Sequence, residues 1–215
     1  MKLINLHTHK NIISEAEIHI VNQYPIQFEQ NIQTFSVGIH PWKIHSVDVT
    51  EELKIIESKL SLNQCLAIGE CGLDKRIETP IDVQGQVFTK QLLLAQKHQK
   101  PVIIHCVAAF DELLAIKNKL EITVPLVVHG FSKNQQVAAQ LIKNGFYLST
   151  GKYFMQNDDF SKVLQTIPLN KLFFETDSSD FLILEIYQKA SKTLAVSLQD
   201  LTQIIYTNFK TVFAT

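Results

Sequence analysis

A chain of 215 residues with 46% hydrophobic and 19% charged residues has the composition of an ordinary globular protein. We expect one domain that spans residues 1–215, because a single core reaches about this size. The formal net charge of −1 excludes a strong overall attraction to nucleic acid, so any contact with nucleic acid must be local.

The three cysteines fit neither a disulfide framework nor a zinc-finger spacing, which predicts reduced thiols in a cytoplasmic protein. We see no secretory leader at the start of the sequence and no apolar run near the roughly 20 residues that span a bilayer. The expected protein is therefore a cytoplasmic monomer that makes no membrane contact.

Short apolar runs alternate with amphipathic segments along the chain. The runs are, in order, "KLINLH", "AEIHIVNQ", "TFSVGIHP", "QCLAIGEC", "PVIIHC", "PLVVHG", "GFYLST" and "KLFFETD". Their high content of Val, Ile, Leu and Phe is typical of buried parallel strands. Helical spacing of apolar residues is found in 49–60, 83–97, 134–143, 160–166, 182–190 and 198–209. Eight strands with intervening helices predict a single TIM-type (β/α)8 barrel.

The segment between His9 and Ile39 departs from this plan, because it contains no good amphipathic helix. A crossover between parallel strands usually needs a dozen or more residues. Two alternatives remain open: the first two crossovers are shortened and lack helices, or the barrel is distorted and open on this side.

His7 and His9 lie two residues apart where the first apolar run ends. Alternate residues of a strand point to the same face, so both imidazoles are expected at the mouth of the barrel, where such enzymes work. The pair alone is weak evidence for a site, because a structural role explains it about equally well.

Other ionisable side chains follow the same rule at the ends of other runs. These residues are Glu70, His105, His129, and the group Glu175, Thr176 and Asp177. The carboxyl ends of barrel strands converge on one site, so the four imidazoles together with Glu70 and Asp177 form one predicted cluster. Such a set can hold two divalent ions with one bridging carboxylate, which suits metal-assisted hydrolysis. Imidazole and carboxylate ligands suit Zn²⁺ or Mn²⁺, and Mg²⁺ is a further candidate.

Seven blocks of the sequence resemble, in order, the signature blocks of the TatD-related hydrolases. They are "NLHTH", "GIHPW", "AIGECGLD", "PVIIHC", "VVHGFS", "YLSTG" and "ETD". The resemblance covers nearly the whole chain and implies a metal-dependent nuclease with the barrel fold of the amidohydrolase superfamily.

The resemblance also implies roles for the six metal-binding candidates. His7, His9, Glu70 and Asp177 would surround one divalent ion, and Glu70, His105 and His129 would surround the other. Glu70 would bridge the two ions, and Asp177 would orient and deprotonate the attacking water.

Three positions depart from the pattern of the family. The first block usually begins with Asp, where this chain has Asn5, and Val107 stands where the family commonly has an arginine. After "ETD" the family has a long loop with another arginine, whereas "SSDF" here leads almost directly into a helix. The metal ligands are complete, but the contacts that hold a phosphate are reduced.

Five side chains are candidates for substrate contacts. They are His40, Trp42, Lys75, Arg76 and Lys152. Trp42 offers a flat face for a base or ring, although a packing role at the rim is equally compatible with its position. The three cationic side chains are the nearest candidates to replace the missing arginines, and solvated loop positions explain them at least as well.

Two functions remain open from sequence. The first is a dinuclear hydrolase that cleaves phosphodiester bonds in DNA. The second is an amidohydrolase or esterase with the same metal site and a small-molecule substrate, which the missing arginines and the small net charge favour.

Overall fold

The structure is a computed structural model that describes residues 1–213. Its strands are β1 (Leu3–Thr8), β2 (Glu17–Gln23), β3 (Phe35–Val37), β4 (Cys65–Asp74), β5 (Val102–Val107), β6 (Leu126–Val128), β7 (Tyr147–Thr150) and β8 (Leu172–Phe174). The helices are α1 (Val49–Lys59), α2 (Ile81–His98), α3 (Phe110–Lys119), α4 (Gln135–Lys143), α5 (Lys152–Gln156), α6 (Phe160–Leu164), α7 (Ile183–Leu194) and α8 (Leu198–Phe213). Short 3₁₀ helices cover Pro41–Ser46 and Leu169–Lys171.

The eight strands follow one another in the sheet in chain order, from β1 to β8. A parallel bridge between Thr8 and Asp177 links the end of β1 to the residues that follow β8. This order is that of a (β/α)8 barrel, and the predicted fold class is confirmed.

The first two crossovers have no helix. Residues 9–16 connect β1 to β2, and residues 24–34 connect β2 to β3, without helical structure. Of the two alternatives left open by the sequence, the structure therefore has shortened crossovers without helices. Within residues 1–213, no helix is both long and apolar enough to cross a bilayer.

One strand is longer than its apolar run suggested. β4 continues to Asp74, so Glu70 lies inside the strand and not at its end. The register between β4 and β5 shifts between Ile68 and Cys71, which places this irregularity next to Glu70.

The chain divides into two compact units. The first comprises Met1–Val21 together with the chain from Val128 onward, and the second comprises Asn22–Val127. In the first unit, the buried hydroxyl of Tyr187 on α7 donates to the carbonyl oxygen of Ile4 at 3.1 Å and accepts from its backbone N at 3.2 Å. These two hydrogen bonds fix α7 against β1.

In the second unit, α2 supplies two fully buried glutamines that bind backbone groups at or just after the ends of strands. The Gln91 side chain accepts from the Ile39 backbone N at 2.8 Å and donates to its carbonyl oxygen at 3.1 Å. Gln84 makes the same pair of bonds with Asp74, at 2.7 and 2.9 Å. Both glutamines therefore hold backbone next to candidate site residues.

Candidate metal centres

The first unit brings together His7, His9 and Asp177. The Asp177 Oδ1 atom lies 3.8 Å from His7 Nε2 and 3.4 Å from His9 Nε2. The His7 side chain is fully buried, whereas the side chains of His9 and Asp177 are about one-third exposed. The three groups form one cluster that is partly accessible to solvent.

Backbone hydrogen bonds fix Asp177 against the end of β1. Its backbone N donates to the carbonyl oxygen of His7 at 2.9 Å, and its own carbonyl oxygen accepts from His9 N at 3.3 Å. Asp177 has a φ of 50°, in the left-handed region that Asp and Asn adopt more readily than most residues. This conformation turns the chain at the end of the last strand.

His129 lies next to the same cluster. Its ring centroid is 4.3 Å from that of His7, and its Nδ1 atom is 3.2 Å from Glu175 Oε1. The same Glu175 oxygen accepts a hydrogen bond from the backbone N of Gly130 at 2.7 Å. A carboxylate on one nitrogen of an imidazole fixes the ring and leaves the other nitrogen as a potential ligand.

The second unit contains a cluster of His40, Glu70 and His105. Glu70 Oε1 lies 3.0 Å from His40 Nε2 and 2.9 Å from His105 Nδ1. The backbone N of Glu70 donates to Asn22 Oδ1 at 2.7 Å, which fixes the irregular part of β4. Glu70 and His40 are almost completely buried.

Gly72 lets β4 approach β5 closely beside this cluster. Its φ is 148°, and a side chain there would collide with the carbonyl oxygen of His105. Only glycine adopts this backbone conformation readily. Gly72 therefore lets the strand that carries Glu70 pack closely against the strand that carries His105.

Asp74 extends the second cluster. Its Oδ2 atom lies 3.3 Å from His105 Nε2 and accepts a hydrogen bond from the Trp42 indole at 2.8 Å. Burial alone would raise the pKa of Asp74. Hydrogen bonds from Trp42, from the backbone N of Arg76 and from His105 outweigh that effect, so the pKa lies below its ordinary value.

Both clusters have the donor atoms that divalent metals bind. Each offers two imidazole nitrogens and one carboxylate oxygen within 4.8 Å of one another. Two ligands that bind Zn²⁺ tetrahedrally at about 2.1 Å lie about 3.4 Å apart. The distance between His9 and Asp177 fits that spacing.

The candidate substrate residues have different surroundings. Trp42 is 62% exposed, and its ring meets the rings of His40 and His105 edge-on at 5.0 and 5.9 Å. Lys75 forms an ion pair with Glu112 at 2.6 Å. Arg76 is exposed and follows the site strand β4. Trp42 is therefore the candidate whose ring contacts the second cluster.

Lys152 borders a cavity of about 220 Å³ in the first unit. The carboxylates of Glu175 and Asp177 and the backbone of Gly151 line the same cavity. This placement gives Lys152 access to the space in front of Asp177.

Asp74 and Glu175 lie in these clusters without a role predicted from the sequence. Asp74 is four residues after Glu70 in one strand, so alternation places both on one face. This alternation can be seen in "AIGECGLD" when the strand is extended past Cys71. His40 was expected to contact substrate, and the structure places it among potential metal ligands.

Comparisons with known proteins agree with this architecture. The family model described as TatD related DNase matches residues 14–214. YabD of Bacillus subtilis, described as an uncharacterized metal-dependent hydrolase, is 34% identical over 147 residues, which is 66% of this chain and 57% of that protein. Deoxyribonuclease Tat-D of Schizosaccharomyces pombe is 30% identical over 158 residues, which is 67% of this chain and 51% of that protein. The chain therefore spans little more than half the length of these two relatives.

A solved structure extends the likeness to the whole fold. The crystal structure of YjjV, a TatD homologue from Escherichia coli, superposes with a TM-score of 0.84 at 21% identity. The match covers 99% of this chain and 98% of that one. At this identity the likeness shows a common fold.

Proposed function

Because this chain belongs to the TatD-related DNase family, we propose that it is a metal-dependent hydrolase that cleaves phosphodiester bonds in DNA. Two clusters of imidazole and carboxylate groups support the proposal. One contains His7, His9 and Asp177, and the other contains His40, Glu70 and His105. Such donor sets are those of catalytic metal sites in hydrolases.

In this proposal, the chain holds two divalent ions, with Zn²⁺, Mn²⁺ and Mg²⁺ as candidates. One lies at His7, His9 and Asp177, and the other at Glu70 and His105. The sharing of Glu70 between both ions, and the contribution of His129 to the second ion, stay predictions from the resemblance to the family. When bound, such ions lower the pKa of a water molecule and stabilise negative charge on a phosphoryl oxygen.

Asp177 has the exposure that a general base needs. Its carboxylate is partly accessible and borders the cavity beside Lys152, so it accepts the proton of the attacking water in this proposal. The ammonium group of Lys152 attracts the phosphate to the same cavity. Buried Glu175 keeps the His129 ring in place.

A small-molecule ester or amide is the alternative substrate. Two observations favour it: Val107 ends β5 where a phosphate-binding arginine is common in the family, and the Lys75 ammonium is already paired with Glu112. Both observations reduce the positive charge that is available for a phosphate.

Metal removal and substrate comparison test the proposal together. Purified protein is treated with a strong chelator, checked by elemental analysis, and reloaded with Mn²⁺, Zn²⁺ or Mg²⁺. We expect single-stranded DNA and bis(p-nitrophenyl) phosphate to be hydrolysed only after reloading, and faster than simple esters and amides. His105→Ala is expected to lose activity, and His98→Ala, at the C-terminal end of α2, serves as the matched control. Full activity of the metal-free protein would contradict the proposal, and faster hydrolysis of esters or amides would favour the alternative.

A further inference from the structure

A second cavity lies beside the His40–Glu70–His105 cluster, within the unit Asn22–Val127. Its volume is about 170 Å³, below the roughly 300–1,000 Å³ of pockets for drug-sized ligands. It therefore suits one ring or a similar small group. The side chains that matter for its chemistry are those of Tyr24, Gln27, Ile39, His40, Lys43 and Glu52.

Glu52 gives this cavity an unusual polar group. The residue lies in the first turn of α1, is only 4% exposed and borders the cavity. Its carboxyl group makes no hydrogen bond or ion pair with another side chain within residues 1–213, and burial raises its pKa. Since Glu52 borders the cavity and has no side-chain partner within the described residues, its carboxyl oxygens face the space of the cavity and can accept a hydrogen bond from a ligand there.

The other walls suit a flat, partly polar ring. Tyr24 and Ile39 supply aromatic and aliphatic surface, and Gln27 supplies an amide. The Lys43 ammonium lies 5.6 Å from the centre of the Tyr24 ring. A ligand that carries both donors and acceptors on an aromatic ring would match these surfaces.

His40 connects this cavity with the candidate metal centre. It borders the cavity, and its Nε2 atom lies 3.0 Å from Glu70. If a phosphodiester is cleaved at the metal centre, the group next to the scissile bond is a nucleoside. A base that has left the stack is then the ring within reach of the cavity.

We propose that this cavity binds one base of single-stranded DNA, and that Glu52 accepts a hydrogen bond from the exocyclic amino group of that base. This inference rests on the proposed function and goes beyond it, because it assigns a base preference. Carboxylates accept hydrogen bonds from the cytosine amino group, and thymine has a carbonyl oxygen at that position. The enzyme should therefore prefer cytosine to thymine next to the cleaved bond.

The test compares oligonucleotides of deoxycytidine and of thymidine with the metal-loaded enzyme. We expect the wild type to cleave the cytosine oligomer about 10-fold faster or more. In Glu52→Leu the ratio should fall to within about 2-fold. Glu51→Leu, which changes the exposed neighbour on the same helical turn, should keep the wild-type ratio. Equal rates for both oligomers in the wild type, or an unchanged ratio in Glu52→Leu, would overturn the inference.

A binding measurement separates this inference from the proposed function. Trp42 is the only tryptophan and lies next to His40, so its fluorescence reports on deoxycytidine and thymidine monophosphates. We expect tighter binding of the cytosine nucleotide in the wild type and loss of binding of both nucleotides in Val47→Phe, which fills the cavity. Hydrolysis of bis(p-nitrophenyl) phosphate, which has no base, tests the proposed function by itself. Base-selective binding without such hydrolysis would support the base-binding cavity and refute the proposed nuclease function. Hydrolysis without base-selective binding would support the proposed function and refute the base-binding cavity.

Discussion

Asn5 binds Thr176 through both ends of its side-chain amide. Its Nδ2 atom donates to Thr176 Oγ1 at 2.8 Å, and its Oδ1 atom accepts from the Thr176 backbone N at 2.9 Å. The same Nδ2 atom lies 3.1 Å from Nδ1 of His19. Since Thr176 directly precedes Asp177, this contact holds the segment that carries the proposed base.

The environment of His19 explains why an amide suits position 5. Burial lowers the pKa of His19, although Glu17, 2.8 Å from its Nε2 atom, opposes that shift. A neutral imidazole can accept a hydrogen bond at Nδ1. Asn5 can donate that bond and a carboxylate cannot, so the replacement of the usual Asp by Asn fits this network.

Removing the Asn5 side chain should affect both stability and activity. In Asn5→Ala, the buried partners on Thr176 and His19 lose their bonds, and we expect the free energy of unfolding to fall by about 2–4 kcal/mol. Turnover should fall by about 10-fold or more, because small displacements of catalytic groups are costly. Urea denaturation and steady-state kinetics measure the two effects. Asn118→Ala, on the exposed face of α3, should change the stability by less than about 0.5 kcal/mol.

Asp177→Asn separates the proposed base from the fold. Asn also adopts the positive φ found at this position, so the backbone should be kept. We expect turnover to fall by at least about 10²-fold, while the ion at Glu70 and His105 remains. Steady-state kinetics measure the turnover, and elemental analysis measures the metal content. Asp180→Asn, at an exposed position three residues later, is the control. Near-normal turnover would show that another group takes the proton.

The buried carboxyl of Glu52 predicts a pH dependence of stability. Because burial raises the pKa of Glu52 in the folded state, this group binds more protons in the folded chain than in the unfolded chain above about pH 4.3. The contribution of Glu52 to the free energy of unfolding should therefore fall as the pH rises from about 4.3 through its folded-state pKa. Glu52→Gln removes this contribution, so the variant should gain stability relative to the wild type between pH 4 and pH 8. Urea denaturation across this range measures the difference, and parallel curves for both proteins would contradict the prediction.

The barrel and the clustering of most candidate site residues could be predicted because both depend on local patterns. Buried parallel strands have continuous apolar runs, and the polar residues at their C-terminal ends lie at one end of the barrel. Asp74 was not predicted because the sequence places the end of the strand at the polar Glu70, whereas β4 continues for four more residues. That continuation depends on the irregular pairing with β5 and on the bonds from Gln84, which are contacts between distant parts of the sequence.

The position of His40 beside Glu70 could not be predicted for a similar reason. The sequence shows a histidine after a strand, but its position depends on tertiary contacts. Buried Gln91 of α2 binds the backbone of Ile39, and the His40 Nδ1 atom accepts from Trp42 N at 3.1 Å. These bonds direct the other ring nitrogen to Glu70. Sequence spacing alone carries no information on such an orientation.

Val107→Arg distinguishes the two candidate substrates. Val107 is the half-buried last residue of β5, two positions after His105, so alternation places both side chains on the same face. An arginine there would add a bidentate partner for a phosphate but nothing specific for a neutral ester. If the enzyme acts on phosphodiesters, kcat/KM for bis(p-nitrophenyl) phosphate should rise by about 10-fold relative to that for a nitrophenyl ester. Val107→Met, which adds length without charge, should leave this ratio unchanged. An equal change for both substrates in Val107→Arg would show that position 107 does not face the phosphate.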